Sequence, residues 1–230
     1  MSSWTDKIAL ETVKKLRDEF KIRYYIETGT FKGINAKVQS KVFDYIFTCE
    51  IVDEYINVAT QKLDRDYNVY MYKASSPNFL SMIKEKHERL TPNEILFIYL
   101  DAHFYDPTLP ADKRFVVIDE LKSLKNTKNA IICIHDFWND QFTGITYDNI
   151  KLDFNLLKHY LFEVNPNFKY YTNTKCDVYN KETIKELIDD VDADGNIEYA
   201  NTSIAKRDRG ILYCIPKELD LTKYDLKEIV

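Results

Sequence analysis

The feature that most limits what this chain can fold into is a pair of apolar runs, EILFIYLD (residues 94–101) and AIICIHDF (residues 130–137). A strand with one wet face alternates apolar and polar residues, so near-continuous runs suit a sheet covered on both faces. Three earlier runs, RYYIETG, DYIFTCE and NVYMYKA, are also β-prone. Segments of helical spacing separate them: NAKVQSKVF, VDEYINVATQKLDRD and NFLSMIKEKHERL, with DKRFVVIDELKSLK following between the two longest runs. Strand and helix taking turns predicts an α/β chain with a mostly parallel sheet.

At the start, Trp4, Ile8, Leu10, Val13, Leu16 and Phe20 fall at three- and four-residue spacing, which predicts an amphipathic N-terminal helix within residues 1–21. In the last third, residues 153–162 read as a helix, FKYYTN as a short strand and KETIKELIDDV as a helix ended by the DADGN turn. NIEYANTSI and RGILYCIP read as a terminal antiparallel hairpin. The chain has no repeat, no low-complexity segment and no Gly/Ser linker, so residues 1–230 are expected to form a single domain.

A net charge of -5 gives no electrostatic reason to expect nucleic acid as a partner. No apolar run reaches the roughly 20 residues that cross a bilayer, so no membrane partner is expected. Cys49, Cys133 and Cys214 sit inside apolar runs, and Cys176 has no close CxxC mate. That usage predicts a reducing, cytoplasmic setting without a disulfide framework or a zinc site. A homo-oligomer is compatible with this sequence.

The turn IETGTFKG puts Glu27 at a strand end, Gly29 where the chain bends and Gly33 where a helix starts. Such a turn lets backbone N–H groups approach a ligand, and Glu50, closing the next strand, is spaced to accept from ribose hydroxyls. The alternative is two glycines in a tight turn and an acid at a strand end. Phe31 stands where a dinucleotide fingerprint has its middle glycine, which opposes a pyrophosphate ligand.

The succession ETGTFKG, FTCE, LDAHFYD, DELKSL, IICIHDF and the terminal pair resembles a class I S-adenosylmethionine-dependent methyltransferase over roughly residues 20–215. LDAH followed by IHDF is similar to small-molecule O-methyltransferases of the macrocin and aminocoumarin sugar type. The resemblance implies a Rossmann-like methyltransferase fold: a three-layer α/β/α sandwich on a seven-stranded, mostly parallel sheet with an antiparallel last strand. It further implies that Glu27, Thr28, Gly29, Thr30 and Gly33 line the methionine part of the cofactor. Glu50 would hold the ribose and Ile51 would lie beside the adenine, with Ser75, Ser76 and Asp101 completing the S-adenosyl-L-methionine site.

Methyl transfer to an alcohol requires the hydroxyl to lose its proton, through a base or a metal. Asp101 and His103, two positions apart, share one side of an extended chain, and Asp136 closes the neighbouring run. His103 can accept the proton beside a carboxylate that orients it, with Asp101 and Asp136 as its acidic partners. The same acids suit Mg²⁺ or another divalent cation, for which the resemblance implies ligands at Asp101, His135 and Asp136. This chain has His-Asp where that family usually has Asp-Asp.

Each residue also has a plainer reading: Asp101 as a turn acid, His103 as a partly buried histidine, Asp136 as a helix N-cap, His135 as structural and Asp106 as a loop residue. Asp119 and Glu120 read as the polar rim of a helix. Phe137 and Trp138 read as an acceptor wall or as core, and residues 139–150 as a mobile cover. The expected function is O-methyl transfer to a small-molecule or glycan acceptor. The alternatives are an NAD-dependent oxidoreductase and a non-catalytic nucleoside- or glycan-binding module.

Overall fold

The computed structural model describes residues 6–103, 108–110, 113–177 and 209–229. Trp4, Asp106, KETIKELIDDV, DADGN and NIEYANTSI lie outside them. Helix α1 (Lys7–Phe20) starts where the Asp6 carboxylate accepts from the N–H groups of Ile8 and Ala9, and it buries Leu10, Val13, Leu16 and Phe20. Next come β1 (Tyr24–Thr28), α2 (Ile34–Ser40), β2 (Tyr45–Glu50), α3 (Asp53–Lys62), β3 (Val69–Lys73) and α4 (Ser76–Leu90). They are followed by β4 (Leu96–Leu100), α5 (Val116–Ser123) and β5 (Ala130–Phe137), then by a small hairpin of β6 (Thr146–Tyr147) and β7 (Ile150–Lys151). Helix α6 (Phe154–Val164), β8 (Lys169–Asn173), β9 (Gly210–Ile215) and β10 (Leu226–Glu228) complete the described chain.

The main sheet has the order β10-β8-β9-β5-β4-β1-β2-β3. β1 to β5 pair in parallel, and β9 runs antiparallel to both β5 and β8. Successive strand residues point to opposite faces. Accordingly, Ile26, Ile98 and Ile132 join the core under α4, α5 and α6, while Tyr25, Phe97 and Cys133 join the core under α1, α2 and α3. The result is a Rossmann-like three-layer α/β/α architecture, with a mostly parallel sheet and antiparallel pairings at its β9 and β10 end.

Two details depart from the expectation. The sheet has eight strands and not seven, because the chain after β9 returns to lay Leu226–Glu228 along the free edge of β8. RGILYCIP does not read as one arm of a hairpin either, since both its edges are occupied, by β5 and by β8. Among the described residues no helix is long and apolar enough to cross a membrane. Cys133 and Cys214 are fully buried in strands and pack as small apolar side chains.

Candidate functional site

In an open parallel sheet, ligand crevices form beyond the carboxyl ends of the strands. Here a cavity of about 740 Å³ opens there, within the range usual for small-molecule sites. One wall carries Gly29, Thr30 and Phe31 after β1, a second Glu50, Ile51 and Val52 after β2, and a third Ser75 and Ser76 after β3. Asp101, Ala102 and His103, which follow β4, close it.

Gly29 adopts φ 78°, and a Cβ there would lie 3.0 Å from the Cα of Ala102. The first turn and the segment after β4 therefore touch backbone to backbone, which only glycine permits. Thr28 sits behind the wall, where its hydroxyl accepts from the N–H of Asp101 at 3.2 Å. Gly33, also φ 78°, starts α2 and packs against Ala59 and Leu63 of the core. Of the ten residues expected to hold the cofactor, Thr28 and Gly33 are thus supports and do not line the cavity.

Glu50 accepts from three backbone donors: Ile51 and Val52 N–H on Oε1, and Phe31 N–H on Oε2. A carboxylate offers about four acceptor positions, so Oε2 keeps one for a ligand hydroxyl. Phe31 takes φ 50°, a conformation usual for glycine, and its ring meets Tyr55 edge-on at 4.4 Å. With its N–H engaged by Glu50, that turn cannot turn this donor toward a pyrophosphate.

Glu27 is buried, accepting from Asn35 Nδ2 and from the Thr48 hydroxyl. Burial raises its pKa to about 8, more than those hydrogen bonds lower it. On the opposite face of the sheet, Glu120 is entirely buried, with Ser76 and Thr28 as its polar neighbours. Burial raises its pKa to about 7. The rim reading thus holds for exposed Asp119, paired with Lys122, and fails for Glu120. The signal that could have found Glu120 was its spacing, on the same helical face as Val117, Leu121 and Leu124.

Beside the cavity, Asp101, His103, His135 and Asp136 converge. His103 Nε2 lies 3.4 Å from Asp101 Oδ1 and 3.2 Å from Asp136 Oδ2, with its side chain 30% exposed. Burial works against its charge, but the two carboxylates outweigh that and raise its pKa to about 9. His135 Nδ1 is 3.2 Å from Asp101 Oδ1 and 3.5 Å from Asp136 Oδ1. For both acids burial alone would favour the neutral form, yet the neighbouring histidines hold them well below the usual carboxylate range.

Asp101, His135 and Asp136 each offer a ligand atom within 4.8 Å of one another. Asp101 Oδ1 and Asp136 Oδ1 are both buried within ion-pair range of His135 Nδ1, but none of the three is aligned in a hydrogen bond. Two carboxylate oxygens and an imidazole nitrogen left in this way fit a divalent cation.

Asp136 does not cap a helix. It lies in β5 at φ 55°, where the pairing with β9 shifts between Ile134 and Phe137. A Cβ at Gly144 would come within 2.1 Å of Asp136 O, and one at Gly210 within 1.9 Å of Phe137 O. Two glycine backbones thus come closer to the bulge than a residue with a side chain could.

Phe137 belongs to the core, and Trp138 donates its indole N–H to Ile145 O. Within residues 139–150, expected as a mobile cover, Ile145 N–H donates to Asp136 O and the Asn139 amide to the Thr172 hydroxyl. Arg209, unforeseen from the sequence, puts Nε 3.1 Å from Asp136 Oδ1.

No family model matches the chain, and no curated protein matches it. Among solved structures it is similar to an rRNA methylase from Streptococcus thermophilus, at 8% identity and TM-score 0.49, covering 91% of this chain and 97% of that one. It is also similar to a SAM-dependent methyltransferase from Anabaena variabilis, at 13% identity and TM-score 0.46, covering 92% and 85%. The methyltransferase domain of bacterial CtHen1 aligns at 10% identity and TM-score 0.48, covering 91% and 98%. The architecture of the present chain rests on its own strand order.

Proposed function

We propose that this protein transfers a methyl group from S-adenosylmethionine to a hydroxyl of a small acceptor, with a sugar or glycan hydroxyl as the first candidate. The observation that carries the reading is the junction of a nucleoside-sized cavity with the Asp101/His103/Asp136 cluster at its wall. Glu50 keeps an acceptor for the ribose, exposed Ile51 offers an apolar face to the adenine, and Ser75 and Ser76 border the same end. Glu27, Gly29 and Thr30 border the end nearest Asp101, where the methionine part and the sulfonium would sit.

An acceptor hydroxyl near His103 would give its proton to the neutral imidazole, the minor form at pH 7 and the major one above about 9, as oxygen attacks the methyl carbon in line with the departing sulfur. Asp101 and Asp136 stabilise the imidazolium that forms, and because they raise the pKa of His103 to about 9 the proposed transfer should quicken as pH rises toward that value. A divalent cation held by Asp101, His135 and Asp136 would supply Lewis-acid polarisation of the acceptor oxygen. The occupied Phe31 N–H weighs against a dinucleotide, and therefore against NAD-dependent oxidation.

Calorimetry tests the donor. S-adenosylmethionine and S-adenosylhomocysteine are expected to bind the folded protein; heat from neither, with NAD giving a normal isotherm, would replace this reading with the oxidoreductase. Binding without label transfer to a broad panel of alcohols would leave only a nucleoside-binding module.

A further inference from the structure

The acids beside the cavity carry a permanent cation of their own. Arg209 Nε stands 3.1 Å from Asp136 Oδ1, with the arginine side chain 18% exposed and that of the aspartate 5%. The pair is therefore largely shielded from water, where charges act strongly on one another. Its geometry is an ion pair without an aligned hydrogen bond, so Oδ1 keeps lone-pair capacity toward Asp101 and His135.

Neither partner's backbone is free to leave. Arg209 O accepts from Asn173 Nδ2 at 3.0 Å and from the Cys176 thiol at 3.3 Å, and Gly210 N–H donates to Thr143 O. Asp136 lies in the bulge at φ 55°, with the two glycine backbones close around it. With two carboxylates against one guanidinium, the fixed side chains other than histidine leave one negative charge for an incoming cation.

We propose that Arg209 is a built-in competitor for the divalent-cation cage of Asp101, His135 and Asp136: its fixed charge weakens cation binding there without occupying a ligand position. This inference rests on the cluster's geometry alone and stands whether or not the protein is a methyltransferase.

The test is Mn²⁺ titration followed by electron paramagnetic resonance, at one pH and ionic strength, without donor or acceptor. Arg209→Gln is expected to bind Mn²⁺ at least about tenfold more tightly than the wild type, since a like charge a few ångströms away is removed. Arg209→Lys, which keeps the charge, is expected to stay within about threefold of the wild type. Asp136→Asn in the Arg209→Gln background should abolish the gain. Arg209→Met serves as a second neutral variant if the glutamine protein does not fold, as judged by near-ultraviolet circular dichroism. Equal or weaker binding by the folded neutral variant, or no Mn²⁺ binding by any of the proteins, overturns the proposal.

Discussion

His103 touches two acids at once, and its loss has a specific expected signature. If the ring takes the acceptor proton as proposed, His103→Ala should lower methyl transfer by roughly 100-fold while leaving donor affinity intact. Single-turnover label transfer and donor calorimetry on the same preparation check both halves; near-normal transfer would remove His103 from the proton path. Gly29→Ala should act differently, on stability and donor binding together. Its φ of 78° and the 3.0 Å approach of Ala102 predict a loss of about 1–3 kcal/mol by urea unfolding. At this scale Asp101, His103 and Asp136 were legible because strand ends announce themselves as an apolar run stopping at polar residues. Arg209 was not: KRDRG looks like a solvated charged turn, and nothing local says that its last arginine meets an acid 73 positions earlier in the chain.

Among the elements, β5 has the most exacting surroundings. Its bulge requires Gly210 on β9 and Gly144 in the following loop, and the former would place a Cβ 1.9 Å from Phe137 O. Gly210→Ala should therefore part β5 from β9 and cost about 1–3 kcal/mol, the usual range for overpacking. It should also loosen the Asp136 geometry. Equilibrium unfolding measures the first effect and Mn²⁺ affinity the second; wild-type behaviour in both would mean that the bulge tolerates a side chain. The long strands and most helices were readable from period and breakers, with α4 extending N-terminally to Ser76 through Pro77, a residue suited to a first turn. Helix α5 begins only at Val116, and β10 went unseen because a three-residue edge strand, LKE, carries no usable periodicity.

Across the whole molecule, buried carboxyls lie beneath the cavity on both faces of the sheet, Glu27 on one and Glu120 on the other. Both have raised folded-state pKa values, about 8 and about 7, against 4.5 for the free group. The folded protein thus holds protons that the unfolded chain releases, so stability is greatest below pH 4.5 for these two groups and falls as pH rises toward 8. Urea unfolding at pH 5 and pH 8 should differ by an amount on the order of a few kcal/mol. Glu120→Gln should shrink that difference; an unchanged difference would mean that Glu120 does not titrate in this window.

The wedging of β9 between β5 and β8 also has a consequence for how the molecule is made. A ribosome that has released the chain only through β5 has supplied every parallel strand pairing, and the crevice between β1, β2 and β4 can already assemble. The kink that aims Asp136 must wait for a partner strand synthesised more than 70 residues later. On the proposed reading, donor recognition is therefore within reach of a nascent chain well before its reactive centre takes shape.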